Sequence, residues 1–115
     1  MNSKEAVAAL GALAQETRLA IFRHLVTAGE DGVSAGAIAT ELDVPSPTLS
    51  FHLKEIERAA IVSSRRESRL IYYTANYAGM RELIDFLTED CCRGNAQVCF
   101  PAKRTRATTT RSRRG

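Results

Sequence analysis

The stretch ELDVPSPTLSFHLKEIERAAIVSSRRESRLIYYT, Glu41 to Thr74, decides how the rest of this chain is read. It begins at the end of a short helical pattern and crosses a turn at Asp43–Pro45. A well-signalled helix start follows. Ser46 is a good N-cap, and Pro47 suits the first helical position, where its missing N–H costs nothing. At about 100° per residue, Leu49, Leu53, Ile56 and Ala60 share the side that must be buried. Pro47, Phe51, Lys54 and Arg58 fall opposite, flanked by Thr48 and Glu55. An outward Phe in a small soluble protein asks for a partner. Beyond the helix, IVSSRRESRLIYYT alternates and is rich in β-branched and aromatic residues. It predicts a hairpin with strands Ile61–Arg65 and Leu70–Thr74, turning around Glu67–Ser68. Arg65, Arg66 and Arg69 crowd its tip.

Upstream, apolar residues recur at helical spacing from Ser3 to His24, with a break or second helix start expected at Gln15–Thr17. Thr27–Ser34 is a loop punctuated by Gly29 and Gly32, and Ser34 can cap a short helix carrying Ile38 and Leu42 inward. Downstream, a last helix is predicted from about Tyr77 to Thr88. Tyr77, Met80, Ile84 and Leu87 lie on one stripe, with Leu83 beside it. At 115 residues, 44% hydrophobic and 25% charged, the chain has the length and composition of one small folded domain. No apolar run reaches transmembrane or signal-peptide length, so the expected compartment is the cytoplasm and no membrane partner is expected.

The net charge of +3 is unevenly placed. Up to Phe100 there are ten basic and 13 acidic side chains; after it there are six basic residues and no acid. The basic character therefore belongs to the Thr- and Arg-rich tail, which reads as disordered, and does not mark the folded part as a nucleic-acid binder. The expected organisation is a folded domain over 1–90, a cysteine-bearing segment over 91–100 and a basic tail over 101–115.

Short helix, turn, helix and basic hairpin together describe a winged helix-turn-helix, mostly α with a β-hairpin wing. A helix end placed in the major groove reads base edges while a flanking hairpin grips phosphates. Ser46, Thr48, Ser50 and Phe51 stand on the first turns of the recognition helix, with His52 in the same set. A hydroxyl bonds several base edges, and Phe51 can pack on a thymine methyl. Lys54, Arg58, Arg65, Arg66 and Arg69 are the expected phosphate contacts. His52 sits off the core stripe, where packing or a phosphate contact outweighs metal ligation as its role.

The segments ALGALAQETRLAIFRHL and IATELDVPSPTLSFHLKEIERAAIV, followed by the hairpin, resemble the ArsR/SmtB metal- and metalloid-responsive repressors. The resemblance covers roughly Leu10 to Leu87. It implies a homodimer joined through the first and last helices, bound to double-stranded operator DNA and released when a metal or metalloid binds; it implies no enzyme. Three departures stand out. The family often has Gly where Ala60 stands, and Ala tolerates a left-handed backbone less well. Many arsenic-sensing members carry a Cys-x-Cys pair ahead of the recognition helix, where ELDVPSP has no cysteine. Zinc- and nickel-type members use His on the last helix, and 77–90 has none.

All three cysteines, Cys91, Cys92 and Cys99, lie together in EDCCRGNAQVCF. A bridge between the adjacent pair is poor geometry, since neighbouring Cα atoms lie ~3.8 Å apart, below the ~4.4 Å usual for disulfides. Zinc wants four ligands, whereas three soft sulfurs without an imidazole suit a thiophilic three-coordinate centre such as As(III) or Sb(III). The acids Glu89 and Asp90 and the carboxyl end of a helix disfavour a thiolate, which weakens a redox sensor there. Gly94–Asn95 is a turn signal that lets the chain fold back and bring Cys99 over the pair, at little loop-closure cost. A subset of ArsR-like repressors has a similar adjacent pair plus a third cysteine and binds As(III) there, so the resemblance extends through Cys99. The expected inducer is As(III) or Sb(III), with no permanent cofactor. A thiol-redox repressor of the same fold is the alternative. A small thiol oxidoreductase and a metallochaperone or protein-interaction module lie further off.

Overall fold

The computed structural model describes residues 1–89. Cys91, Cys92 and Cys99, the turn expected at Gly94–Asn95 and the basic tail lie outside the described residues. The elements are α1 (Ser3–Leu13), α2 (Glu16–Ala28), β1 (Val33–Ser34), α3 (Ala35–Leu42), α4 (Ser46–Arg58), β2 (Val62–Glu67), β3 (Leu70–Ala75) and α5 (Tyr77–Leu87). The expected break near Gln15 is present. Ala14 closes α1, and the Gln15 side chain accepts from the Arg18 N–H to cap α2. Ser34 caps α3 as its sequence position suggests, accepting from Ala37 N–H at 3.2 Å. Asp43, in the left-handed conformation at φ 55°, ends α3 and opens the turn to α4.

The start of α4 differs from the sequence expectation. Pro45, not Ser46, is the N-cap, and no side chain caps the helix. Leu49 N–H donates to the Pro45 carbonyl at 2.9 Å, so the ladder begins one residue early. Ser46 is thereby the first helical residue and Pro47 the second, still a position whose N–H has no helical acceptor. The expected buried stripe holds at Leu49, Leu53 and Ile56, which pack with Ile21 and Leu25 of α2 and Ile38 of α3. Ala60 is an exception: it lies beyond the helix, exposed, at φ 66°.

The wing forms as the sequence reading expects, with its turn one residue later. Pairing runs from Val62↔Ala75 to Glu67↔Leu70, so the turn is Ser68–Arg69, with Ser68 at φ 58°. The loop before α3 also holds a strand that the sequence does not announce. β1 pairs antiparallel with β3 through Val33↔Tyr73 and Ser34↔Tyr72, giving sheet order β1-β3-β2. Gly32 permits this close approach. At φ +83° it lies where a Cβ would stand 2.9 Å from the Tyr73 carbonyl.

α5 closes the described fold. Leu83 is buried and the Tyr77 hydroxyl donates to the Val26 carbonyl at 2.9 Å, yet Ile84 and Leu87 are half exposed. On α1, Val7 and Leu10 are likewise exposed while Ala6 and Ala9 enter the core. Among the described residues no helix is long and apolar enough to cross a membrane.

Candidate nucleic-acid interface

The first turns of α4 present Ser46, Thr48, Ser50 and Phe51 together, all exposed, and Lys54 follows one turn later. Phe51 keeps 57% of its surface in solvent, as a non-core aromatic on an amphipathic helix would. This end offers hydroxyls, an apolar ring and an ammonium on its exposed surface, the mixture that reads base edges and phosphates.

His52 is not part of that face. It is only 8% exposed, and its Nδ1 lies 3.2 Å from an Arg18 guanidinium nitrogen. Arg18 in turn donates through Nε to the Ala12 carbonyl at 2.7 Å, so one side chain ties α1, α2 and α4. A guanidinium has no lone pair to offer, so Nδ1 is the acceptor and the remaining proton sits on Nε2. Burial, reinforced by the Arg18 charge and partly opposed by Glu55, pushes the His52 pKa below its ordinary value. The imidazole is therefore a neutral core acceptor, which corrects its placement among the DNA-facing residues. The reason is tertiary: the flank of the α4 stripe is covered by α2. Arg18 is the residue that sequence reasoning missed, although it sits in the ETRLAIF segment that carries part of the family resemblance.

The expected basic set also divides. Arg65 is engaged, with Nε 2.8 Å from a Glu67 carboxylate oxygen, Nη2 2.7 Å from the Asp31 carbonyl, and its guanidinium 5.0 Å from the centre of the Tyr72 ring. It braces the wing against the loop before β1. Side chains alternate along β2, so Arg66 shares the face of Ser64, whose hydroxyl donates to Glu57 of α4 at 2.7 Å. Among the described residues, no hydrogen bond or ion pair engages Arg66, Arg69 or Lys54. Arg58 sits about 15 Å along the helix from Thr48 at ~1.5 Å per residue. There it pairs with Glu55 at 2.9 Å and lines a groove with Val7 and Ala8 of α1, so the structure does not bring it to the reading end.

Comparison with known proteins fits this geometry. A helix-turn-helix domain family matches residues 13–65, from the end of α1 into the wing. The transcriptional activator HlyU of Vibrio cholerae is 31% identical over 94 residues, spanning 82% of this chain and 84% of that protein. Its reduced form has been solved and superposes with TM-score 0.62 at 30% identity, over 80% of this chain and 94% of that one. An ArsR-like transcriptional regulator from Rhodococcus sp. RHA1 superposes with TM-score 0.70 at 26% identity, over 84% and 88% of the two chains. At 24% identity and TM-score 0.62, the homodimeric winged helix-turn-helix domain Mb0332 from Mycobacterium bovis shares the fold over 76% of this chain and 81% of its own.

Proposed function

Since the chain belongs to the ArsR/SmtB family of helix-turn-helix transcriptional regulators, we propose that it is a cytoplasmic homodimeric repressor induced by As(III) or Sb(III). It grips operator DNA through the N-terminal turns of α4 and the wing. It lets go when Cys91, Cys92 and Cys99 capture the metalloid.

The observation that carries this reading is where the thiols join the fold. α5 ends at Leu87, and Cys91 follows four residues later in the chain. That helix bears exposed Ile84 and Leu87 and packs beside α1 with its exposed Val7 and Leu10. Paired across a two-fold axis, these faces would bury each other and set the two α4 helices for half-sites ~34 Å apart. Mb0332, which shares the fold, is described as homodimeric. Capture of a ligand at the end of α5 then acts on the element that fixes the spacing. A coupling of ~1–3 kcal/mol between the sites gives a useful response.

The capture chemistry balances without an oxidant. As(OH)3 is neutral; each of three thiols forms an As–S bond and gives its proton to a departing hydroxide, releasing three waters. No preformed thiolate is required, so the acids at Glu89 and Asp90 are tolerable neighbours. A mobility-shift titration with arsenite, antimonite, zinc, cadmium and peroxide in parallel tests the reading. Arsenite should release DNA from the wild type and not from a Cys91/Cys92/Cys99→Ser triple variant. Release from both, or from neither, would sink it. The redox alternative has one observation in its favour, that HlyU was solved in a form described as reduced; release by peroxide and not arsenite selects it. HlyU is described as an activator, so a promoter-reporter measurement with and without the chain decides the sign of regulation.

A further inference from the structure

Asn76 lies between β3 and α5, and all of its polar groups are used. Two of them serve α5. The side-chain Oδ1 accepts from Gly79 N–H at 3.1 Å, and the backbone carbonyl accepts from Met80 N–H at 2.9 Å. The other two serve the corner where α4 becomes β2. Nδ2 donates to the Ala60 carbonyl at 2.7 Å, and the backbone N–H donates to the Ile61 carbonyl at 2.8 Å.

The parts around this residue fit tightly. Ala60 turns the corner in the left-handed conformation, which aims its carbonyl at the Asn76 amide instead of continuing the helix. Gly79 leaves no slack: a Cβ there would stand 2.8 Å from Nδ2 and 3.1 Å from the Ala60 carbonyl oxygen. The next residue, Tyr77, fastens the same end of α5 to α2 through the Val26 carbonyl. The far end carries exposed Ile84 and Leu87. α5 is thus held at its N-terminus and less enclosed at its C-terminus, ~16 Å away for 11 residues. A stiff helix held in this way turns displacement at its C-terminal end into rotation at the joint. The one side chain that bonds both partners there is Asn76.

We propose that Asn76 is the positioning residue that couples α5 to the trailing end of the recognition helix and the base of the wing. Gly79 supplies the close approach that makes the coupling stiff. This rests on the reading above in one respect, that the thiols following α5 hold the inducer. The joint itself is a claim about α5 and α4, and it is reciprocal: holding α4 on DNA quiets α5, just as moving α5 disturbs α4.

The test uses full-length Asn76→Ser, which keeps an oxygen to cap α5 but has no donor long enough to reach Ala60. The probe is a DNA duplex selected from a random-sequence pool for binding the wild type. Hydrogen exchange followed by mass spectrometry should show the 76–89 amides slowing at least about threefold in the wild type on DNA, and changing little in Asn76→Ser. Arsenite should weaken wild-type DNA binding by about tenfold or more and that of the variant by less than about threefold, within the 5–150-fold span of ordinary couplings. Arsenite–thiolate absorbance and DNA affinity without arsenite should stay close to wild type, which a merely structural defect would not allow. If α5 exchange ignores DNA in the wild type, or responds equally in both proteins, the joint is refuted. If α5 responds to DNA but arsenite releases nothing, the inducer reading falls and the joint stands. Should Asn76→Ser melt below the assay temperature, Gly79→Ala keeps the capping residue while its methyl displaces the Asn76 amide. The same loss of exchange response is expected from it, and an unchanged response overturns the proposal.

Discussion

Phe51 and His52 are neighbours in sequence, yet the fold gives them opposite tasks, and substituting each with alanine separates those tasks. Phe51 is 57% exposed. An aromatic side chain presents ~200 Å² for burial, so ~110 Å² remains to be covered by a partner. At ~25 cal/mol per Å², covering it fully contributes under ~3 kcal/mol; allowing for the methyl that Ala retains leaves ~2 kcal/mol. Phe51→Ala should therefore raise the Kd for operator DNA about 30-fold. Phe51→Ala also gives up the covered part of the ring and its edge-on contact with His52 at 5.5 Å, partly offset by the better helix propensity of Ala, so it should destabilise the fold less than His52→Ala does.

His52→Ala reverses the pattern. It removes an 8% exposed ring and the acceptor of a bond from the Arg18 guanidinium. Hydrogen bonds to charged groups contribute ~1.5–3 kcal/mol, and in a domain this small each kcal/mol lowers Tm by roughly 4–8 °C. A fall of at least about 6 °C is expected, measured at one protein concentration because binding of any partner shifts the melting point. DNA affinity well below the melting range should change less than about threefold. Fluorescence anisotropy and thermal denaturation on the two variants decide the matter. If Phe51→Ala binds DNA within twofold of wild type, or destabilises as much as His52→Ala, then α4 does not face its partner as argued.

Four further outcomes follow from the same geometry. The pKa of His52 is lowered by folding, so the unfolded chain takes a proton that the folded one resists; stability is full above about pH 6.5 and declines as pH falls below it. Urea midpoints at pH 8 and pH 5.5 should therefore differ more in the wild type than in His52→Gln. Ala60→Gly relieves a left-handed alanine, worth ~1–2 kcal/mol, against ~0.4–1 kcal/mol of added unfolded-chain entropy, so the variant should unfold at slightly higher urea. Arg66→Ala should flatten the log–log salt dependence of DNA binding by about 0.9 for each phosphate left without its cation. Arg65→Ala, which frees the wing from the Asp31 carbonyl, should instead loosen the wing, seen as faster amide exchange over 62–75.

The parts of this molecule that were legible in its sequence are those whose cause is local. The stripe of Leu49, Leu53 and Ile56 announces α4 because a helix repeats its buried face every three or four residues, and the alternation of IVSSRRESRLIYYT announces the hairpin for the corresponding reason. What was misread has its cause elsewhere in the fold. β1 is a strand only because β3 offers it an edge. Arg65 counts as a basic residue in any charge tally, but no local pattern shows that it also donates to the Asp31 carbonyl, 34 residues away. His52 lies on the flank of the α4 stripe, where periodicity does not distinguish inside from outside; Arg18 decides.

Ala60 shows how a local rule can be right about the backbone and still miss its purpose. A residue ending a helix before a strand, at a place where relatives often carry Gly, already pointed to a left-handed corner, and φ 66° is what the corner has. Helical periodicity assigned its methyl to the buried stripe, whereas the fold uses its carbonyl. That oxygen is aimed out of the helix at Asn76, which is itself committed to α5. The strain of one alanine thus supports a contact between the helix that presents Thr48 and Phe51 and the helix that leads to the thiols. A glycine would relax the corner at the expense of that aim. Ala60→Gly should therefore gain stability yet loosen the response of DNA binding to events at α5.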